Sequence, residues 1–452
     1  MKKLKKIIII LLILLLIVII LMIIHKKAAP ENDYELEGVE FEEEVLNTSV
    51  TENTSLYDFF AIRNILESYY FNFEKMNITL RDVILDAGDD YDSNYDYNND
   101  LKEQKEMYLE AIYNCLGKEY IEEWNINKNN IQDKLGTYKE PYISIDKIYT
   151  VDSSSNVSIY FVYGNIIEKD TLQKEEFKIM LFLDMTKNTY DMYPTEYVEK
   201  YYNNILEGVN INIKVDEIEN RSYNTFEYSI VSEEEKIKYY IEEYNNNIKY
   251  NAEKAYNSLN KEYRDNRFGS IEKFEEYVSY IMKGINLIVL DKYQTTTTDD
   301  YTQYVCIDTN ENYYIFRETA PMQYTVILDT YTLDLPEFIE KYNSVNEQGK
   351  VALNIQKFTQ AINSQDYKYA YNCLSNGFKT NYFNNQQSFE TYIKQNLYSN
   401  NKIEFVNFSV NGGVYTYKVQ FTDKENENSQ IREKTFIMQL NEGTGFEMSF
   451  DV

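Results

Sequence analysis

Between Asp92 and Glu103 the chain reads DSNYDYNNDLKE. Side-chain oxygens recur at every second position, from Asp92, Asn94, Asp96, Asn98 and Asp100, and Glu103 stands twelfth. That is the ligand spacing of a calcium-binding loop, where a hard cation collects carboxylate and amide oxygens. Two positions disagree. Tyr97 stands where the sharp turn demands glycine, and Asn99 replaces the usual apolar residue. The stretch therefore reads first as an acidic, solvated loop. Asp92, Asn94, Asp96, Asn98 and Glu103 form a weak calcium candidate, and no other metal site is expected.

Absences bound the remaining chemistry. The one histidine is His25, which removes Ser-His triads, Cys-His dyads, HExxH zinc sites and histidine bases together. Catalysis would have to use carboxylates, tyrosines, lysines or a bound cofactor, and no motif calls for a cofactor. Cys115, Cys306 and Cys373 share no metal-ligand spacing, and three cysteines cannot all pair within one chain. Cys115 and Cys373 recur at matching places where a third copy has Ser258, the pattern of a small buried side chain. Asp184 and Asp329 recur near the ends of two units, but Asn441 fills the third place. Turn residues that bond their own backbone explain all three. No catalytic or cofactor-binding residue is expected.

The elements that carry these residues recur as well. Tyr-Asn-Ser-Leu at 256–259 matches Tyr-Asn-Cys-Leu at 371–374 and, earlier, at 113–116. Without a gap, Tyr263, Phe268, Phe274 and Val278 meet Phe378, Phe383, Phe389 and Ile393. Internal self-similarity of this kind signals repeated structural units. Before each motif, apolar residues fall at spacings of four, three and four: Ile62, Leu66, Tyr69, Phe73; Ile237, Ile241, Tyr244, Ile248; Val351, Ile355, Phe358, Ile362. That is one face of an amphipathic helix. Afterwards the period becomes two, as in Tyr415, Tyr417, Val419 and Phe421, which describes half-buried strands, and Asn411-Gly412 signals a hairpin. Each unit is expected to end in a hairpin, near Asp184, Asp329 and Asn441. PTEYVEKYYNN and PEFIEKYNS then lead from one unit to the next.

The chain begins MKKLKK and continues with eighteen apolar residues, 7–24. As a helix they would span roughly 27 Å, a bilayer's hydrocarbon thickness. An uncleaved transmembrane anchor is expected, its N-terminus cytoplasmic because Lys2, Lys3, Lys5 and Lys6 outnumber Lys26 and Lys27. The rival is a cleaved secretory signal. Residues 28–55 are acidic and aperiodic and read as a tether. A net charge of -29, with no basic face, excludes nucleic acid as a partner. The expected organisation is α+β: an N-terminal flank and transmembrane helix (1–27), the linker (28–55), and three modules at 56–232, 233–342 and 343–452. Each would pack N-terminal helices on a curved antiparallel sheet.

A helical start, a YN-x-L helix, a phenylalanine near a turn and a meander of long strands resemble the nuclear transport factor 2-like superfamily. The resemblance implies cone folds in which a sheet wraps the helices and a pocket can open at the wide end. Some members are enzymes, such as ketosteroid isomerase, that place Asp, His or Tyr inside the cone; many only bind partners. No residue here matches those catalytic motifs. The expectation is a single-pass, extracytoplasmic cell-envelope protein that binds or assembles a protein or envelope partner and is not an enzyme. The membrane contact would be residues 7–24, and the oligomeric state is left open. One version is similar to the anchored scaffolds of conjugation and type IV secretion machines; another resembles the non-catalytic module of penicillin-binding proteins. The rival is an enzyme or small-ligand-binding protein with a buried carboxylate beside a tyrosine inside one cone.

Overall fold

Ser55 and Ser232 precede two of the apolar stripes, and both act as helix caps. The structure, a computed structural model, describes residues 44–46, 50–88, 92, 95–136, 138–151, 156–207, 212–214, 217–281, 289–309, 313–426 and 428–452. The Asp58 and Glu235 N–H groups donate to the two serine hydroxyls, satisfying donors that a helix start leaves free. The helices they open are α1 (Leu56–Lys75) and, further along, Glu233–Tyr250. Contacts divide the chain into a small unit, 1–44 with 214–216, and a large one, 45–213 with 217–452. The sheets and helices that follow belong to the large unit.

Three helical stretches each lead into an antiparallel sheet, and each stretch with its sheet is here called a module. In the first, α1 and α2 (Asn98–Cys115) precede β2 (Pro141–Val151), β3 (Val157–Glu168), β4 (Lys174–Asp184) and β5 (Thr189–Tyr193). A short β1 (Val50–Glu52) pairs with the end of β2, giving the order β1-β2-β3-β4-β5. Helix α3 (Thr195–Tyr201) follows. The second module has α4 (Glu233–Tyr250), α5 (Lys261–Arg267), then β6 (Leu290–Thr297), β7 (Thr302–Asp308), β8 (Tyr313–Ala320) and β9 (Gln323–Ile327), paired in chain order. It leads through α6 (Pro336–Ser344), with proline in its first turn, to α7 (Glu347–Asn363) and α8 (Tyr367–Asn372). The last sheet is β10 (Asn401–Asn411), β11 (Val414–Asp423), β12 (Arg432–Leu440) and β13 (Phe446–Phe450).

Residues matched by eye in the sequence make matched contacts. Leu116, Leu259 and Leu374 each form a parallel bridge to the last strand or its equivalent, at Met192, Val326 and Met448. Tyr256 and Phe274 have ring centres 5.7 Å apart, and so do Tyr371 and Phe389. Phe268–Phe274 and Phe383–Phe389 are edge-on at 5.2 and 5.4 Å. The first long strand of every sheet carries a bulge, at Ile145/Lys147, Leu290/Lys292 and Phe405/Asn407, and a bulge bends its strand.

The two faces of each sheet differ in what covers them. In sheet 1, β3 to β5 are buried on both sides, which explains their near-continuous apolar runs. Ile62, Leu66, Tyr69 and Phe73 of α1 belong to that core; α3 lies against β4, and Tyr202 just after it meets Phe161 of β3 at 5.7 Å. In sheet 3, Tyr415, Tyr417, Val419 and Phe421 are buried, as their alternation predicts. The opposite face of β11 is polar: Lys418 pairs with Glu433 (2.8 Å) and Gln420 bonds it (2.9 Å). Such a face suits the end of a stack.

Three expectations need correction. Among the described residues no helix is long and apolar enough to cross a membrane. The long ones, such as α1 with Asp58, Arg63 and Glu67, are apolar on one stripe only. Residues 7–24, where the transmembrane helix was expected, lie outside the described residues. The fold that opens with a membrane helix and the single-pass, extracytoplasmic location built on it are therefore withdrawn. Second, the turn after β10 is Gly412-Gly413, both at positive φ (59° and 79°), one residue later than expected. Third, Asp329 lies beyond the last strand of sheet 2 and not in a hairpin; that hairpin turns at Met322 (φ 64°).

Candidate functional site

Four residues of the calcium candidate, Asp92, Asp96, Asn98 and Glu103, are among the described residues. Asp96 Oδ1 accepts from the Asn98 backbone N–H (3.1 Å) and side-chain amide (2.7 Å) just before α2. Asn98 is already the first residue of that helix, and Glu103 lies more than a turn inside it. The Asp92 N–H donates to the Tyr97 hydroxyl (2.9 Å), and Asp100 accepts from Tyr95 (2.9 Å). Asn94 and His25 lie outside the described residues. Among the described residues no three His, Cys, Asp or Glu side chains are placed to hold a metal ion.

All three cysteines are free thiols. Burial pushes Cys115, Cys306 and Cys373 each up to about 12, so none is a ready nucleophile. Cys115 donates to the Ala111 carbonyl (3.0 Å) as Ser258 does to Lys254 (2.8 Å), the same step back along the helix. Asp184 is a turn residue: its Oδ1 accepts from the Thr186 and Lys187 N–H groups at 2.9 and 3.0 Å. Asn441 also sits in a tight hairpin, donating its N–H to Gly445 O (2.8 Å).

Inside module 2 a carboxylate does stand beside tyrosines. Glu318, on the helix-facing side of β8, accepts from Tyr240 (2.6 Å), Tyr304 (2.9 Å) and the Lys236 ammonium (2.7 Å). Lys236 and Glu318 are both 8% exposed. Two oxygens with three donors, one of them a cation, are held as an acceptor and not freed as a base. In module 1, Asp191 is bonded by Arg221, which also donates to the Leu116 carbonyl (3.1 Å). Burial lifts Asp191 to about 6 despite that guanidinium.

Asp329 belongs to a seam between modules 2 and 3. Its Oδ2 accepts from Tyr263 (2.6 Å) and from Arg267 Nε (2.9 Å). Arg267 Nη2 donates to the Ser364 carbonyl (2.5 Å), and Asp366 lies 3.6 Å from Nε. Asp366 also caps α8 through Tyr369 N–H (3.0 Å). Burial raises the Asp366 carboxyl and Arg267 opposes it. One arginine thus ties α5 to the start of the next module. A cleft of about 380 Å³ opens beside it, with Arg317 and Lys368 on its walls.

The seam between modules 1 and 2 is built from aromatics and charges. The Lys254 ammonium reaches Ser144 Oγ (2.8 Å), the Ile145 carbonyl (2.9 Å) and Asp146 (3.0 Å) at the uncovered half of β2. Tyr142 donates to Asn247 (3.2 Å) and packs on Tyr250 at 5.6 Å. Arg63 bonds Glu67 (2.7 Å) and lies 4.6 Å over the Tyr239 ring. A cleft of about 430 Å³ is lined by Arg63, Glu67, Tyr142, Tyr239 and Tyr250 with Glu242 and Glu243. Burial raises the Glu67 carboxyl, against the pull of Arg63.

Sequence reasoning missed both seams. Arg267, Asp329 and Asp366 carry no motif; only Asp329 drew attention, and as a turn. These clefts have room for a charged or aromatic side chain. The chain matches no family model and no curated protein.

Proposed function

We infer that the chain is a binding or assembly protein without catalysis of its own, a stack of three modules that offers its seam clefts to a partner protein. The observation that supports this most is the state of the buried carboxylates. Glu318 and Asp329 are each held by a lysine or arginine and by tyrosine hydroxyls, and Asp191 is tied to Arg221, so each is engaged as an acceptor. Membership of the nuclear transport factor 2-like superfamily is part of the same proposal. Three helix-then-sheet modules with bent first strands support it. The excess of negative charge favours a basic partner surface.

The rival, an enzyme with a carboxylate and tyrosine inside one cone, has a specific counterpart in Glu318 with Tyr240 and Tyr304. Glu318 lines neither of the two seam clefts, which weighs against it. The test is a turnover screen of the purified chain against enolisable ketones, hydroxy-acyl compounds and esters, run beside Glu318→Gln. The binding reading expects no turnover that the substitution abolishes. A product formed by the wild type and lost in Glu318→Gln would overturn it.

A further inference from the structure

A third cleft, of about 350 Å³, lies between α6, α7 and the face of sheet 2 turned away from α4. Register puts Lys292, Ile307 and Tyr313 in one row across its floor and Gln294 with Val305 in the next. Phe338 of α6 and Leu353 of α7 supply apolar walls. Tyr313 is 43% exposed although it lies on the sheet. The space is in the size range that holds a small ligand.

Its charge departs from that of the chain. The protein holds 74 acidic against 45 basic residues, yet none of the described residues lining this cleft is Asp or Glu, and three are lysines. Lys357 is balanced by Asp334 (2.8 Å) and packs 3.7 Å from the Phe338 ring centre. The ammonium groups of Lys292, from β6, and Lys341, from α6, make no hydrogen bond or ion pair among the described residues. Their acidic sequence neighbours Asp291 and Glu340 are not among the lining residues. Two ammonium groups without a partner among the described residues, beside an aromatic and aliphatic floor, form an amphipathic receptor: apolar below, cationic at the rim.

We propose that this cleft binds a small organic carboxylate with an apolar body, its tail on Val305, Ile307 and Phe338 and its carboxylate between Lys292 and Lys341. The site lies outside the cones, and the proposal does not depend on the binding or assembly reading. In a molecule whose net field repels anions, the local lysine pair is what makes an anion welcome.

The test is calorimetric titration of the full chain with sodium decanoate at low ionic strength. One saturable site per chain is expected, weakened by added salt. Lys292→Glu with Lys341→Glu should lower the affinity about tenfold or more; both side chains are exposed, so thermal unfolding should not move. Val305→Trp fills the floor and should abolish binding. Decanol, which keeps the tail and lacks the charge, should bind more weakly than decanoate. Absence of saturable binding, equal affinity in the double lysine variant, or equal binding of decanol would each overturn the proposal.

Discussion

Replacing Arg267 with methionine keeps the length of the aliphatic stem and removes the charge. The guanidinium holds Asp329 and Asp366, which are 2% and 6% exposed, and the Ser364 carbonyl of the next module. Taking away one member of a buried ionic group leaves the other members uncompensated, at a cost of about 3–5 kcal/mol. Because α5 and α8 meet at this point, the loss should appear locally, as faster amide exchange in Lys261–Arg267 and Tyr367–Asn372. At about 1.4 kcal/mol per decade, protection should fall by about two to four orders of magnitude. The effect should depend on pH. Asp366 is already raised by burial, and Arg267 opposes that shift; without the arginine it rises further. A carboxyl raised in the folded state binds more protons folded than unfolded, so the variant recovers stability as pH falls toward the free carboxylate range. The penalty is therefore larger at pH 7 than at pH 5. Arg267→Met with Asp329→Asn and Asp366→Asn should regain most of the loss. A single variant that loses less than about 1 kcal/mol and exchanges like wild type in both helices would refute the reasoning.

Four further outcomes are expected. Leu374→Ala, at a site 2% exposed whose backbone bridges to Met448, should cost about 2–5 kcal/mol in chemical unfolding. Gly164→Ala should lower the thermal midpoint clearly, by about 1–3 kcal/mol, because a Cβ there collides with the Ser144 carbonyl and the Phe177 ring. Asp191, lifted by burial to about 6, should make the chain lose up to about 3 kcal/mol as pH rises from about 4 to 6; thermal scans should show this slope flattened in Asp191→Asn. Lys236→Met should destabilise module 2 by about 3–5 kcal/mol by stranding Glu318, while Lys236→Met with Glu318→Leu should be close to neutral; exchange in β8 reads both.

Local periodicity carried most of the architecture. The spacing of Ile237, Ile241, Tyr244 and Ile248 placed α4, whose capping box at Ser232 and Glu235 closes it, and alternation from Tyr415 to Phe421 placed the buried face of β11. Sheet 1 offers less alternation to read, because β3 to β5 are covered on both sides. The seams were illegible for a different reason. Arg267, Asp329 and Asp366 are separated by dozens of residues, and no period links groups that meet only when two modules stack. Asp329 was misjudged because its place near Asp184 in the alignment concealed a different backbone: one carboxylate tightens a hairpin, the other receives an arginine. The lysine-rimmed cleft has the same origin, since Lys292 on a strand and Lys341 on a helix are linked by no shared period. The apolar run at 7–24 led to a membrane helix and a location for which the described residues offer no support.

Native mass spectrometry of the full chain recovered gently from its own cells, as wild type and as Glu318→Gln, tests the binding reading most directly. The account predicts a complex of fixed stoichiometry with a second protein, the same in both. Recovery of the free chain alone, or a complex that disappears with Glu318→Gln, would contradict it.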